Sequence, residues 1–408
     1  MRESLHVRAR ISIFLLLALA TSQGGASSFS WDGSIELEQR YFFDTQNDSL
    51  NKERGQSSAK LELEFFRDWN EGKDTLTFEP FLRLDSLDNE RSHADIRQLI
   101  WSHLEDDWEL SAGLGRVFWG VTESQHLVDI VNQTDLVENI DGEDKLGQPM
   151  VRFQYFHQLC NIDAYILPLF RPRTFPSIDS RLSGDLSVDT NNETYESSQG
   201  GNHIDLALRY SQTLGVFDVG LSVFDGTSRE PDLFRLFNPF SASTTPFYPQ
   251  ITQYGADVQV TTGAWLFKFE GIQRDFDDAI YDDFSALTLG AEYTLVGVLG
   301  STYDLGMLAE YSWDDRDELA TGPFQNDLFL GARLGLNDIN NSEVLFGVVR
   351  DLDDSGSNSV FVEANTRIAN SLTANIELRY FESDTPTDLL FGFRDDSFIQ
   401  LGLQYFFD

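Results

Sequence analysis

The sequence predicts an all-β protein, a transmembrane antiparallel up-and-down β-barrel of about 18 strands, on three observations. Segments that alternate apolar and polar residues recur along nearly the whole chain, the connections between them are short and long in turn, and the charged residues of the segments fall largely on one face.

The chain of 408 residues carries 67 acidic and 29 basic residues and a formal charge of −38. Residues 1–26 read as an export signal, with Arg2, Arg8 and Arg10 ahead of the apolar run ISIFLLLALA and with Gly24 and Ala26 before the cut. That run is too short to span a bilayer as a helix. Removal of the signal leaves a mature chain starting near Ser27 with a charge of −40, which disfavours nucleic acid and other polyanions. Cys160 stands alone and excludes an intrachain disulfide. No later run of 18 apolar residues suggests a membrane helix. Residues 27–408 therefore form one domain, either exported and soluble or a barrel.

The clearest alternating segments are SAKLELEFF, TLTFEPFLRL, HIDLALRY, FDVGLSVF, ALTLGAEYTL, YDLGMLAEY, DLFLGARLGL, VFVEANTRI and LTANIELRYF. Each has about ten residues, the length a tilted strand needs to cross a hydrocarbon layer. SIELEQRYFF, ADIRQLIWSHL, WELSAGLGRVFW, MVRFQYFHQL, NIDAYILPLF, TQYGADVQVT, WLFKFEGIQR, EVLFGVVRDL and the C-terminal FIQLGLQYFF bring the count to 18. The fourth, fifth and fifteenth alternate poorly, which leaves 16 open. Connections after even strands are short, such as WNEGKD, EDD and TTGA, whereas those after odd strands run to Gly120–Pro149, Arg171–Asn202 and Gly226–Gln250. Short turns on one side and long extracellular loops on the other are what a membrane barrel requires.

Leu61, Leu63, Phe65, Leu289, Met307 and Ile376 belong to the apolar face. The other face holds the pore-lining candidates: Glu62 and Glu64, Glu79 and Arg83, Asp205 and Arg209, Glu292, Glu310, Arg333, Glu363 and Arg367, and Glu377 and Arg379, with Lys268 and Glu270 in the same phase. A charge directed into lipid costs about 2–4 kcal/mol for Arg or Lys at mid-depth, so this face belongs on a watery lumen. A soluble fold buried on both sides would not tolerate so many charges. The arginines opposite Glu and Asp would set a field across the lumen that sorts polar solutes.

The long loop GVTESQHLVDIVNQTDLVENIDGEDKLGQP has apolar residues at partly helical spacing, with Glu123, Asp129, Asn132, Gln133, Asp135 and Glu138 between them. It is too apolar for a disordered segment. Two placements are open, inside the lumen as a constriction or outside as cover.

Catalytic chemistry finds no support. His93, His103, His126, His157 and His203 accompany no G-x-S-x-G or H-E-x-x-H, so no enzyme, cofactor or metal site is expected. DLDDSGSNS offers Asp351, Asp353, Ser355 and Gly356 as the first half of a calcium loop, but Val362 stands where a bidentate Glu is needed. Weak divalent-ion bridging to lipopolysaccharide is the most that such acidic loops suggest.

The C-terminal QLGLQYFF, with Gln400, Gly402, Tyr405 and Phe407, resembles the signal by which outer-membrane barrels are recognised for assembly, although Asp408 follows the last aromatic. With the leader and the strand array, nearly the whole chain resembles a Gram-negative porin-type barrel. GRVFWGVTESQHLVDIVNQTDL, LFRPRTFPSIDSRL and FDGTSREP are similar to stretches of poorly characterised proteobacterial barrel proteins. The resemblance implies an outer-membrane location, lipid and lipopolysaccharide contacts, the barrel-assembly machinery as partner, and a homotrimer. It also implies passive diffusion of small polar solutes. The acidic outer loops favour mild cation selectivity. A substrate-specific transporter or exporter, or a non-conducting structural or adhesive barrel, is the alternative on the same fold.

Overall fold

The computed structural model describes residues 27–43, 53–184, 186–233, 235–237 and 243–408; the signal read over 1–26 lies outside them. The main strands are β1 (Ser28–Phe42), β2 (Gly55–Trp69), β3 (Asp74–Asp85), β4 (Ala94–Leu104), β5 (Trp108–Gly115) and β6 (Gln148–Phe156). β7 (Asn161–Leu167), β8 (Asp205–Leu214), β9 (Phe217–Thr227), β10 (Gln250–Thr262), β11 (Trp265–Phe276) and β12 (Phe284–Leu295) follow. β13 (Asp304–Asp314), β14 (Asn326–Gly335), β15 (Glu343–Asp351), β16 (Asn358–Ala369), β17 (Leu372–Glu382) and β18 (Phe398–Phe407) complete the set. All 18 form one sheet, each antiparallel to its neighbour in sequence. β18 pairs with β1 from Gly33↔Phe407 to Phe42↔Phe398, which closes the barrel. The expected strands match these one for one, and the 16-strand alternative falls away.

Alternation decides the faces. On β1, Glu36, Glu38 and Arg40 are buried inward while Ile35, Leu37 and Tyr41 are exposed outward. Leu206, Leu208, Leu289, Met307, Ile376, Leu401 and Leu403 continue the outward apolar surface. Near the end of the barrel that holds the short turns, outward aromatic rings come together across neighbouring strands, Trp31 with Phe407 at 6.0 Å, Trp108 with Phe153 at 6.1 Å and Trp265 with Tyr293 at 4.7 Å. No helix among the described residues is long and apolar enough to cross a membrane.

Three strands end earlier than their sequence pattern suggests. β5 stops at Gly115 because the chain then turns inward and Trp119 packs against Tyr165 at 5.7 Å. β6 stops at Phe156 and the next residues make a turn in which the His157 N–H and the Cys160 N–H bond each other's carbonyls. β7 stops at Leu167, before Pro168, which has no N–H for the ladder. The poor alternation of β4 has a physical cause too. The register slips between Glu79 and Pro80, so that Gln98 faces Glu79 and Ile96 faces Pro80, with Arg97 as the extra residue of a bulge.

Two long connections are tied to each other at the open end. Ser187–Val188 pairs with Ser243–Thr244, and Thr194–Tyr195 pairs with Phe247–Tyr248, both in parallel. A third, residues 116–147, goes into the barrel.

Candidate functional site

The helical spacing seen over residues 122–139 does not become a helix; the segment is a chain of turns and irregular backbone. Its N–H groups find carboxylates on the barrel wall in place of carbonyls four residues back. Glu270 of β11 accepts the N–H groups of Val121 at 2.6 Å, Thr122 at 3.0 Å and Val128 at 3.2 Å, and the Thr122 hydroxyl at 2.7 Å. Glu310 of β13 accepts the N–H groups of Glu123 at 2.8 Å and Ser124 at 2.7 Å, together with the Ser124 hydroxyl. Hydrogen bonds to ionised acceptors are about twice as strong as neutral ones.

Other residues of the loop meet other walls. Glu123 pairs with Arg333 of β14 at 2.5 Å and lies 3.7 Å from Lys268 of β11. Asp135 pairs with Arg97 of β4 at 2.5 Å and Glu138 with Arg83 of β3 at 2.7 Å. Asp141 reaches Arg379 of β17 at 3.1 Å, and Ile140 packs on the cluster of Phe42, Phe381 and Phe398 contributed by β1, β17 and β18. One segment leaving β5 therefore touches strands on widely separated parts of the wall, which means that it crosses the interior. Its apolar side, Trp119, Val128, Ile130 and Val131, packs on inward Tyr165, Leu167, Phe224, Ile251, Ile272 and Phe284. Burying each such side chain contributes about 1.5–3 kcal/mol.

The residues expected to line a pore thus separate into two groups. Arg83, Asp205 and Glu310 are buried and serve as anchors for inserted loops, not as open lining. Arg83 also bonds Glu38 at 2.6 Å, and Asp205 holds Arg229 at 2.7 Å. Glu377 is buried beside Arg379 at 2.7 Å, and Glu363 meets the same guanidinium at 2.6 Å while staying half-exposed. Glu62 lies 3.2 Å from Lys60, Glu64 stands opposite Asp32, Glu79 pairs with Arg116 at 2.5 Å, and Arg209 pairs with Asp257 at 2.8 Å. Glu292 lies over Gly306, where an added Cβ would meet its carboxylate at 2.9 Å. Arg333 lies 3.8 Å from Glu343, and Arg367 sits exposed beside the bulge of β16.

Of the expected constriction residues, Asp129, Asn132, Gln133, Asp135 and Glu138 are buried in the loop's own framework. Asn132 closes the loop base by donating to the Gly115 and Leu146 carbonyls at 2.9 and 2.8 Å. Gln133 accepts from Arg173 Nε at 3.3 Å, and Asp129 faces Lys145 at 3.4 Å. The loop carboxylates that do meet the lumen are Asp141, Glu143 and Asp144, in the run IDGED that turns at Gly142 with φ +82°. Their signal in the sequence is an acidic run broken by glycine after an apolar stretch, which marks a loop tip.

Asp144 is enclosed by the barrel although open to its water. Enclosure, then the charges of Glu138 and Asp141, push its carboxyl up to about 7. For His126, burial opposes the charge, but Glu143 at 3.1 Å and Glu270 outweigh it and raise the imidazole to about 10.

Among the described residues, two groups of side chains come close enough to hold a cation, His93 with Asp135 and Glu138, and Asp141 with Glu363 and Glu377. Arginines already pair with both, Arg97 and Arg83 in the first and Arg379 in the second. In the acidic turn after β15, Asp351 accepts the N–H groups of Asp353 at 2.7 Å and Asp354 at 2.9 Å, so it caps its own turn. At the chain end, Gln400 and Gly402 face inward, with Gln400 accepting from Arg40 at 3.0 Å; Tyr405 points outward, its ring 6.4 Å from that of Phe407.

No family model and no curated protein matches this chain. Among solved structures it is similar to a mutant porin of Rh. blastica, at 10% identity and a TM-score of 0.42 over 93% of this chain and 100% of that one. It is also similar to OmpT, an outer membrane protein of Vibrio cholerae described in a trimer form, at 11% identity and 0.45 over 94% and 100%. The barrel rests on the strand pairing above, not on these likenesses.

Proposed function

We propose that this chain is a channel of the bacterial outer membrane, through which small polar solutes diffuse past the inserted loop 116–147 with mild preference for cations. The observation that carries the reading is the loop itself, pinned across the interior by Glu270 and Glu310 with Asp141, Glu143 and Asp144 on the water side. The outward apolar surface and its aromatic rings suit a hydrocarbon layer with its interfaces. Barrels of 16–18 strands leave an aqueous space. Solutes would pass beside the acidic loop tip, where Glu143 and Asp144 face the water while Asp141 is held to the wall by Arg379.

Single-channel recording of the purified protein in a planar bilayer tests this. Ohmic conductance is expected, with a reversal potential of cationic sign under a potassium chloride gradient that shrinks as salt rises, since screening acts within about 8–10 Å at 0.1–0.15 M. Anion selectivity at low salt would refute the selectivity, and silence in the bilayer would favour a plugged, structural barrel.

A further inference from the structure

Between the inserted loop and the long connections lies a half-enclosed cavity of about 160 Å³ that the channel reading does not use. It has room for about five waters at roughly 30 Å³ each, which suits a molecule of a few heavy atoms and not a sugar chain. Loop 116–147 supplies Asp129 and Lys145 to it. Four arginines from separate segments complete it, Arg173 and Arg229 from the long connections after β7 and β9, Arg274 from β11 and Arg316 from the connection after β13.

Most of these charges have partners. Glu230 holds Arg274 at 2.9 Å and lies 3.6 Å from Arg316, which also pairs with Asp314 at 2.5 Å. Two guanidiniums keep unused donors. Arg173 has no carboxylate within ion-pair distance among the described residues, and the one hydrogen bond of its guanidinium there is from Nε to Gln133 at 3.3 Å. Arg229 is 3% exposed and is held by Asp205 and by the Val131 and Thr227 carbonyls, yet its Nη2 has no partner. That Nη2 is covered by protein and out of reach of a ligand, so Arg229 contributes its charge, and the Nη groups of Arg173 are the donors left to a ligand. Aromatic faces hold the fork-shaped groups in place, Phe170 and Phe224 at 5.1 and 5.0 Å from Arg229, and Phe284 at 3.6 Å from Arg316.

We propose that this cavity binds a small organic carboxylate, whose oxygens take the free Nη donors of Arg173 in the positive field of Arg229, Arg274, Arg316 and Lys145. The paired, planar donors of a guanidinium match a carboxylate in a way that chloride cannot use. Such a site would concentrate short carboxylates above the constriction, in a chain whose overall charge repels anions.

The test is calorimetric titration of the detergent-folded barrel with succinate, with inorganic phosphate and with chloride. Saturable succinate binding at one site per chain is expected, weakened at least tenfold by Arg173→Gln and unchanged by Arg152→Gln on β6, away from the cavity. Absence of succinate binding, binding of phosphate alone, or equal affinity in Arg173→Gln would overturn the proposal. If Arg173→Gln does not fold, as judged by heat-modifiable mobility, the unaltered protein still decides. Succinate should slow modification of Arg173 by phenylglyoxal, read by peptide mass spectrometry, and unslowed modification would refute the site. Binding to a detergent-folded barrel is independent of conduction, so this result and that of the bilayer recording stand or fall separately.

Discussion

Replacing Glu270 by Gln removes a charge and keeps the shape, and it should free one part of the inserted loop. Glu270 is fully buried and accepts four hydrogen bonds from Val121, Thr122 and Val128. A glutamine can keep the three on Oε1, each about 1 kcal/mol weaker without the charge, while its NH₂ faces the Val128 N–H and leaves that donor unpaired for about another 1–3 kcal/mol. The loss is about 4–6 kcal/mol, a thousandfold or more in a local opening equilibrium. Because Glu310, Arg97 and Arg83 still hold the rest of the loop, the opening stays local. Hydrogen exchange read by mass spectrometry should show peptides covering residues 119–130 exchanging faster, with the strands unchanged. Unaltered exchange there would refute the anchoring role, and acceleration over the whole barrel would show that Glu270 supports the wall.

Further outcomes follow from the same structure. Cation preference should rise as pH passes from 6 to 8, because the Asp144 carboxyl, pushed up to about 7 by enclosure and by Glu138 and Asp141, gains its charge in that window; Asp144→Asn should flatten the change in reversal potential. Unboiled protein should migrate differently from boiled protein in detergent electrophoresis, as a closed sheet without edges resists unfolding; identical mobility would argue against a closed barrel in solution. Deleting Tyr405–Asp408 removes the pairs Gly33↔Phe407, Ser34↔Phe406 and Ile35↔Tyr405 from the seam, and membrane levels of the truncated chain measured by immunoblot should collapse.

The wall was legible in the sequence because two demands coincide on it. Where the outside is apolar and the inside is charged, period-2 alternation shows the strand and its faces together, as in Glu62 and Glu64 between Leu61, Leu63 and Phe65. The pattern fades where the inside is apolar too. Leu308, Phe329 and Val349 point inward and pack together, so β15 reads as apolar on both sides. Gly347 in that strand is needed for space, since a Cβ would stand 2.4 Å from the Phe361 ring and 2.6 Å from that of Phe329. The inserted loop was legible only as an apolar stretch too long for a turn. Its path depends on acceptors 142–187 residues away, and no local spacing encodes that. The basic cavity is hidden for the same reason, since its four arginines come from four separate segments.

Glu270 and Glu310 grip the loop chiefly by its main-chain N–H groups. Every residue except proline offers that handle, so the grip is indifferent to which side chain the loop carries at Val121 or Glu123. Position and charge are thereby uncoupled. Glu123, whose carboxylate faces Arg333 and Lys268, can give way to its neutral isostere Gln while its N–H stays held by Glu310. A change of charge on the loop therefore need not release it from the wall.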